Sequence, residues 1–243
     1  MIDDIPIYFV TFADSRLYRT LDRIKKQAEA LGIFDGIFIN NENTLEKSYS
    51  ETLKKWANKH MRGYGLWIWK PQVVLEALKK IPDNAILVYA DAGCTLNLEG
   101  MNRFKQYVKM VKEHSTHRLA FELTTLREEM FTTEYVLQAL NFHEPEKRKT
   151  DQLLATTFLI QKTHTNISFI ESWNNIVKMP HMLTGGLHIP CCSFYRDHRH
   201  DQSIWSILNK SMGGACILHD ETYFEDGFEK NKHFPIHATR LKY

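Results

Sequence analysis

The run "AILVYA", residues 85–90, shows no alternation between apolar and polar side chains. A strand with one wet face alternates; a strand buried on both faces does not, and such strands belong to parallel sheets covered by helices. Parallel strands need crossover helices, and the chain supplies them. "PIYFVTF" (6–12) and "DGIFIN" (35–40) read as strands. Between them Leu17, Leu21, Ile24, Ala28 and Leu31 recur at alternating spacings of four and three, the stripe of an amphipathic helix closed by Gly32. Pro71 suits a first helical turn and predicts a helix to about Lys80. The alternation continues: helix at "MNRFKQYVKMVKEH", strand at "RLAFEL", helix near 128–141, strand at "ATTFLIQ", helix near 166–178, helix from about Gln202, strand at "ACILH". The expectation is an α/β fold with a mostly parallel central sheet flanked by helices. With 243 residues, 43% hydrophobic content and no Pro/Gly/Ser-rich linker, one domain over 1–243 is expected.

The formal charge of +2 gives no sign of a nucleic-acid coat. No apolar run reaches transmembrane length, and "MIDDIPIYFVTF" lacks a basic signal-peptide start. The expected location is the cytoplasm, with contact at the inner face of a membrane left open. Four cysteines without CxxC spacing read as reduced thiols in that compartment. Histidines such as His60 and His164 read as surface residues.

In open α/β sheets, ligands bind beyond the carboxyl ends of the strands. Asp14 and Asp91 both follow such ends. Three stretches concentrate chemistry there. "ILVYADAGCTLN" (86–97) runs from the apolar strand into Asp91, Ala92 and Gly93. A strand-end Asp serves either as a turn former or as a reactive group on a rigid tip. "RGYGLWIWKP" (62–71) sets Arg62 and Lys70 around two glycines and two tryptophans, just before a helix start. Backbone N–H groups and the helix dipole favour anions there, and Lys70 adds a point charge suited to phosphate. "FYRDHRHDQSIWSIL" (194–208) crowds Asp197, His198, Arg199, His200 and Asp201 before an amphipathic run. Asp201 serves as an N-cap on one reading and as an acid or base on the other.

The ordered set "RGxGxWxWKP", "YxDAG" and "RHDQS" resembles GT-A-fold glycosyltransferases of bacterial and viral surface-polysaccharide synthesis. The resemblance implies a GT-A sheet and transfer of a sugar from a nucleotide-sugar donor, UDP-linked by default, to a hydroxyl of a glycan acceptor. Such enzymes carry Asp-x-Asp at a strand end, where the carboxylates hold Mn²⁺ or Mg²⁺ against the donor diphosphate. Asp91 matches the first Asp and is the implied metal ligand; Gly93 stands where the second would be. The resemblance makes Asp201 the catalytic candidate, as base in an inverting reaction, with Gln202 as an alternative donor-orienting residue. Arg62, Lys70, Asp91, Ala92 and Gly93 fall on the donor side. "FVTFADS" occupies the nucleoside-binding junction, giving Thr11, Ala13, Asp14 and Arg16. "TDQLLATTFLIQKT" precedes a sugar-lining strand, giving Asp151 and Gln152. The basic tail "FPIHATRLKY" corresponds to a C-terminal segment that closes some GT-A sites. The contrasting reading is a non-catalytic carbohydrate- or nucleotide-sugar-binding module on a degenerate scaffold. A nucleotidyltransferase on a similar sheet is disfavoured by the lack of a glycine-rich loop near the N-terminus.

Overall fold

The computed structural model describes residues 2, 4–56, 62–186 and 192–243. β1 (Ile7–Phe12), α1 (Tyr18–Leu31) and β2 (Gly36–Asn40) come first. α2 (Lys47–Trp56), the one-turn α3 (Gly63–Leu66) and α4 (Lys70–Lys80) lead into β3 (Ile86–Ala90). β4 (Thr95–Leu96), α5 (Met101–Glu113), β5 (Arg118–Arg127), α6 (Glu128–Phe131), α7 (Glu134–Ala139) and α8 (Pro145–Arg148) follow. β6 (Asp151–Leu153), β7 (Thr157–Gln161), α9 (His164–Val177), α10 (Pro180–Thr184), α11 (Asp201–Ser211), β8 (Cys216–His219) and β9 (Ile236–His237) complete the chain.

The seven-stranded sheet has the order β2-β1-β3-β7-β5-β6, with β8 also on β5. β1 pairs parallel with β2 and β3, and β8 pairs parallel with β5; β7 is antiparallel to β3 and β5, and β6 to β5. Five strands therefore point one way and only β6 and β7 oppose them. β3 is buried throughout, as its lack of alternation requires. Its successive side chains serve opposite faces. Leu87 and Tyr89 join a core with residues of α4, α9 and α11, whereas Ile86, Val88 and Ala90 join one with residues of α1 and α5. The α1 stripe packs as its spacing predicts, with Leu21, Ile24 and Ala28 buried. Gly32 ends α1 in the left-handed region (φ 64°), its N–H bonded to Glu29 O.

Three local expectations differ. The helix read near 128–141 breaks at Thr132 and Thr133, both buried with extended backbone. β-branched residues are weak helix formers, and Gln152 Nε2 donates to Thr132 Oγ1 at 3.1 Å, so tertiary bonding takes this corner. β5 extends past "RLAFEL" because β6 pairs with it as far as Arg127↔Asp151. α2 arises in a segment read only as polar. Its buried residues include Tyr49 and Leu53, a stripe too thin to stand out. Cys94, Cys192 and Cys216 are free thiols; Cys191 and His60 lie outside the described residues. Among the described residues, no helix is long and apolar enough to cross a membrane.

Candidate functional site

The tip of β3 is held from both sides. Thr11 Oγ1 donates to Ala90 O, and Thr157 Oγ1 donates to Tyr89 O, each at 2.7 Å. The Asp91 N–H donates to Thr156 O at 2.8 Å. Beyond the strand, the Cys94 N–H closes a turn on Asp91 O at 2.8 Å. Arg23 of α1 clamps that turn by donating to Ala92 O and Cys94 O. Asp91 thus projects from a fixed mount, with 27% of its side chain exposed. Tyr89, two residues earlier and so on the same face of the strand, donates its hydroxyl to Asp91 Oδ1 at 2.5 Å. Burial, and next the Asp91 charge, hold the Tyr89 phenol protonated well above its ordinary range.

Lys70 reaches this carboxylate from the first residue of α4. Its Nζ lies 3.0 Å from Ala155 O, 3.2 Å from Asp201 Oδ2 and 3.3 Å from Asp91 Oδ1. An ammonium has three protons, and here three acceptors surround it. Burial disfavours the Lys70 charge, but Asp201 and Asp91 outweigh it and raise the pKa above the ordinary lysine value. Asp201 is itself buried at the first residue of α11. Burial pushes its carboxyl up to about 6; Lys70 opposes the rise and Asp91 adds to it. An ion pair alone would lower an Asp pKa, so desolvation decides the sign. Asp201 Oδ2 receives no aligned hydrogen bond, so its contact with Lys70 is mainly electrostatic.

The backbone entering both helices is unusual. Gly63, Tyr64, Gly65, Leu66 and Trp67 all have positive φ, between 49° and 90°. α3 is therefore a left-handed turn, costing about 1–2 kcal/mol at each non-glycine residue. Gly63 is required here, because a Cβ would lie 2.3 Å from the Trp67 ring. The turn is held by Trp69 Nε1 donating to Gly63 O at 3.0 Å and by Trp69 stacking on Phe12 at 4.0 Å. His200, just before Asp201, has φ 52° and ψ −119°. It is the residue at the N-cap position of α11, so Asp201 is not the cap. Trp67 and His200 stack with ring centroids 6.2 Å apart, joining the two strained approaches. Strain of this kind persists only where surrounding structure enforces it, and it concentrates at working sites.

The other sequence candidates divide into two groups. Gln202 lies with the cluster: its Oε1 accepts from the Ala155 N–H, the residue whose carbonyl holds Lys70. Its Nε2 donates to Gln152 Oε1 at 3.0 Å. Gln152 is fully buried and also donates to Thr132 and Ser203, so it supports the site from behind. Arg62 precedes α3 without a capping bond, lies over Trp67 at 5.5 Å and reaches Asp197 at 3.5 Å. Asp151 is engaged elsewhere, accepting from the Thr125 N–H at 2.9 Å near the end of β5. Asp14 accepts from Arg16 Nε at 2.5 Å and caps the turn after β1; that bond raises the Arg16 pKa. Ala13 is anchored by its N–H to Asn40 O. Thr11 is spent on Ala90, as described above.

The structure adds groups that the motif reading passed over. Tyr89 was findable, since i and i+2 share a strand face. The Ala155 carbonyl carries no side-chain signal at all. The C-terminal tail is the third. Leu241 N–H and Thr239 Oγ1 donate to Gly93 O at 3.0 and 2.9 Å, laying residues 239–241 against the turn after Asp91. A Cβ on Gly93 would lie 3.3 Å from Arg240 Cα and 3.4 Å from Leu241 O. The tail backbone passes close over this glycine, so a side chain here would have to press it back by a few tenths of an ångström. The donor set therefore does not fit a divalent cation. Asp91 is one carboxylate, already shared between Lys70 and Tyr89, and position 93 supplies no other. Among the described residues, no group of three His, Cys, Asp or Glu side chains is arranged to hold a metal.

No family model matches the sequence, and no curated protein matches it. Among solved structures, the fold is similar to a glycosyltransferase involved in the glycosylation of the major capsid of PBCV-1. The likeness covers 95% of this chain and 91% of that one at 8% identity, with a TM-score of 0.53. Mouse xyloside xylosyltransferase 1 in its apo form superposes less closely (9% identity, 96% and 97% covered, TM-score 0.46). So does 4-diphosphocytidyl-2C-methyl-D-erythritol synthase from Anaerococcus prevotii (10% identity, 89% and 90% covered, TM-score 0.44). The central sheet and its covering helices are those of a GT-A-type fold.

Proposed function

We propose that this chain is a glycosyltransferase that moves a sugar from a nucleotide-sugar, UDP-linked by default, to a hydroxyl of a glycan acceptor. The observation that carries the reading is the Lys70–Asp91–Asp201 cluster at the carboxyl end of β3, within a GT-A-type sheet. A chain gains nothing in stability by burying a lysine between two carboxylates, since a well-packed apolar set often does as well or better. Perturbed charged groups at a strand tip, entered by two strained segments, have the character of a working site.

The reaction joins the acceptor oxygen to the anomeric carbon. The bond from that carbon to the phosphate oxygen breaks, its electron pair leaves with the nucleoside diphosphate, and the hydroxyl proton passes to a base. Asp91 is the exposed member of the cluster and faces the reactants. Asp201, the base candidate of the sequence, has 4% of its side chain exposed. Its geometry favours holding Lys70 in place over reaching an acceptor hydroxyl. Ala13, Asp14 and Arg16 remain the proposed nucleoside side, with buried Thr11 bracing the strand tip beneath them, and Gln152 and Gln202 the support of the sugar pocket.

Titration with UDP, GDP and uridine tests donor binding directly. The reading requires a nucleoside diphosphate to bind more tightly than its nucleoside. Equal or absent binding of all three contradicts it. Gly93, the residue where a second Asp would stand, is the feature that favours the binding-module reading; close passage of the tail backbone also favours a small residue there.

A further inference from the structure

We propose that Arg199 and Arg240, with Arg62 at the rim, hold the donor diphosphate in place of a divalent cation. This inference rests on the donor reading above and deepens it.

Three features of the β3 tip argue against a metal there. No second carboxylate stands at position 93, where the tail backbone passes close to Gly93. Asp91 already faces the Lys70 ammonium at 3.3 Å, so a divalent ion on Asp91 would be repelled at close range. Lys70 in turn has three acceptors for its three protons, and its side chain is 3% exposed. It neutralises the site from within, buried between two carboxylates and the Ala155 carbonyl.

The positive charge a diphosphate needs is supplied by the arginines. Arg62, Arg199 and Arg240 come from three distant parts of the chain. Arg62 reaches Asp197, two residues before Arg199, at 3.5 Å, and the Trp67 ring that Arg62 lies over stacks on His200, one residue after Arg199. Burial, and then the Arg62 and Arg240 charges, lower the Arg199 pKa. Asp197 meets Arg62 at 3.5 Å, and Asp220 lies near Arg240. Two carboxylates against three guanidiniums leave a surplus that an anion would satisfy. Each guanidinium lies by an aromatic ring: Arg62 over Trp67 at 5.5 Å, Arg199 over Phe131 at 4.1 Å, Arg240 over Tyr223 at 5.6 Å. A guanidinium supported on a ring can present its N–H edge to phosphate oxygens in a bidentate contact; an arriving phosphate would compete with Asp197 for Arg62. The cluster also sits in the right place. Arg240 crosses Gly93, two residues after Asp91, and Arg199 precedes Asp201 by two.

The test is calorimetric titration of the full chain with UDP, GDP and uridine, in EDTA and then in MnCl₂. It is repeated with Arg199→Gln and Arg240→Gln, each checked for folding by thermal melting. The expected result is nucleoside diphosphate binding in EDTA within about threefold of its affinity in Mn²⁺. Each variant should weaken that binding about tenfold or more, the scale of one lost charged hydrogen bond, while changing uridine binding less than twofold. Arg240 is exposed, so its variant keeps the test valid even where Arg199→Gln does not fold. Nucleoside diphosphate binding that appears only with Mn²⁺ overturns this inference and leaves the donor reading standing. Folded variants that bind like wild type also overturn it. Failure of both diphosphates to bind in either condition removes the donor reading, and this inference with it.

Discussion

Lys70 and Asp201 form a buried ion pair, 3.2 Å between Nζ and Oδ2, across the first residues of two helices. The dipole at a helix N-terminus favours the aspartate and disfavours the lysine. Lys70 stays charged because Asp201 and Asp91 together outweigh both that dipole and burial. Neither residue of the pair is comfortable alone, which makes each a sensitive probe of the site.

Lys70→Met should destabilise the protein by about 3–5 kcal/mol, because it strands the Asp201 charge in the interior. Adding Asp201→Asn should recover part of the loss, since the stranded charge is then gone. Urea melts of the two single variants and the double variant measure the coupling. Strict additivity would mean that the two side chains do not act as a pair.

The pH dependence has a definite sign. The folded protein holds the Asp201 proton up to about pH 6, above the unfolded value of 3.8. The native state therefore binds more protons in that interval, and the stability this group contributes is full below about pH 4 and lost as pH rises through about 6. Its size is about 3 kcal/mol at 1.36 kcal/mol per unit. The stability difference, wild type minus Asp201→Asn, should fall by that order between about pH 4 and pH 7. A flat difference would show that burial does not govern this carboxyl.

The same variant separates two roles for Asp201. As a base it would lose about 10²–10⁴-fold in turnover with donor affinity unchanged. As the residue that fixes Lys70 it should change donor affinity along with turnover. Steady-state rates at varied donor, read beside direct binding of UDP, distinguish them.

Much of this was legible in the chain and some was not. The apolar run at 85–90, the α1 stripe and Pro71 report burial and helix entry directly, because each depends on local periodicity or a local backbone constraint. Asp91, Lys70 and Asp201 were each legible as strand-tip or helix-start residues, but their convergence was not. Sequence spacing carries no sign that an ammonium at 70 lies between carboxylates at 91 and 201. The break at Thr132–Thr133 escaped notice because its cause is Gln152, a residue twenty positions away. Gly93 reads in the sequence as a lost carboxylate; the backbone that crowds it, at Arg240, lies at the far end of the chain.

Gly93→Asp would restore the Asp-x-Asp spacing, yet it should not create a metal site. The new side chain presses on the backbone at Arg240 and Leu241, which must give by a few tenths of an ångström, so the bonds from Leu241 N–H and Thr239 Oγ1 should weaken. Limited proteolysis should then release the last residues faster than in wild type. An unchanged cleavage rate together with new Mn²⁺ binding would contradict this account of the turn.

A sugar-transfer site at the β3 tip should act on at least one of a panel of nucleotide sugars. Purified protein is incubated with UDP-, GDP- and CMP-linked sugars, and released nucleotide is measured by chromatography. The account predicts slow release from at least one donor, UDP-linked first, lost in Asp91→Asn protein that melts like wild type. Intact donors throughout, with no binding of any nucleotide sugar by calorimetry, would contradict it.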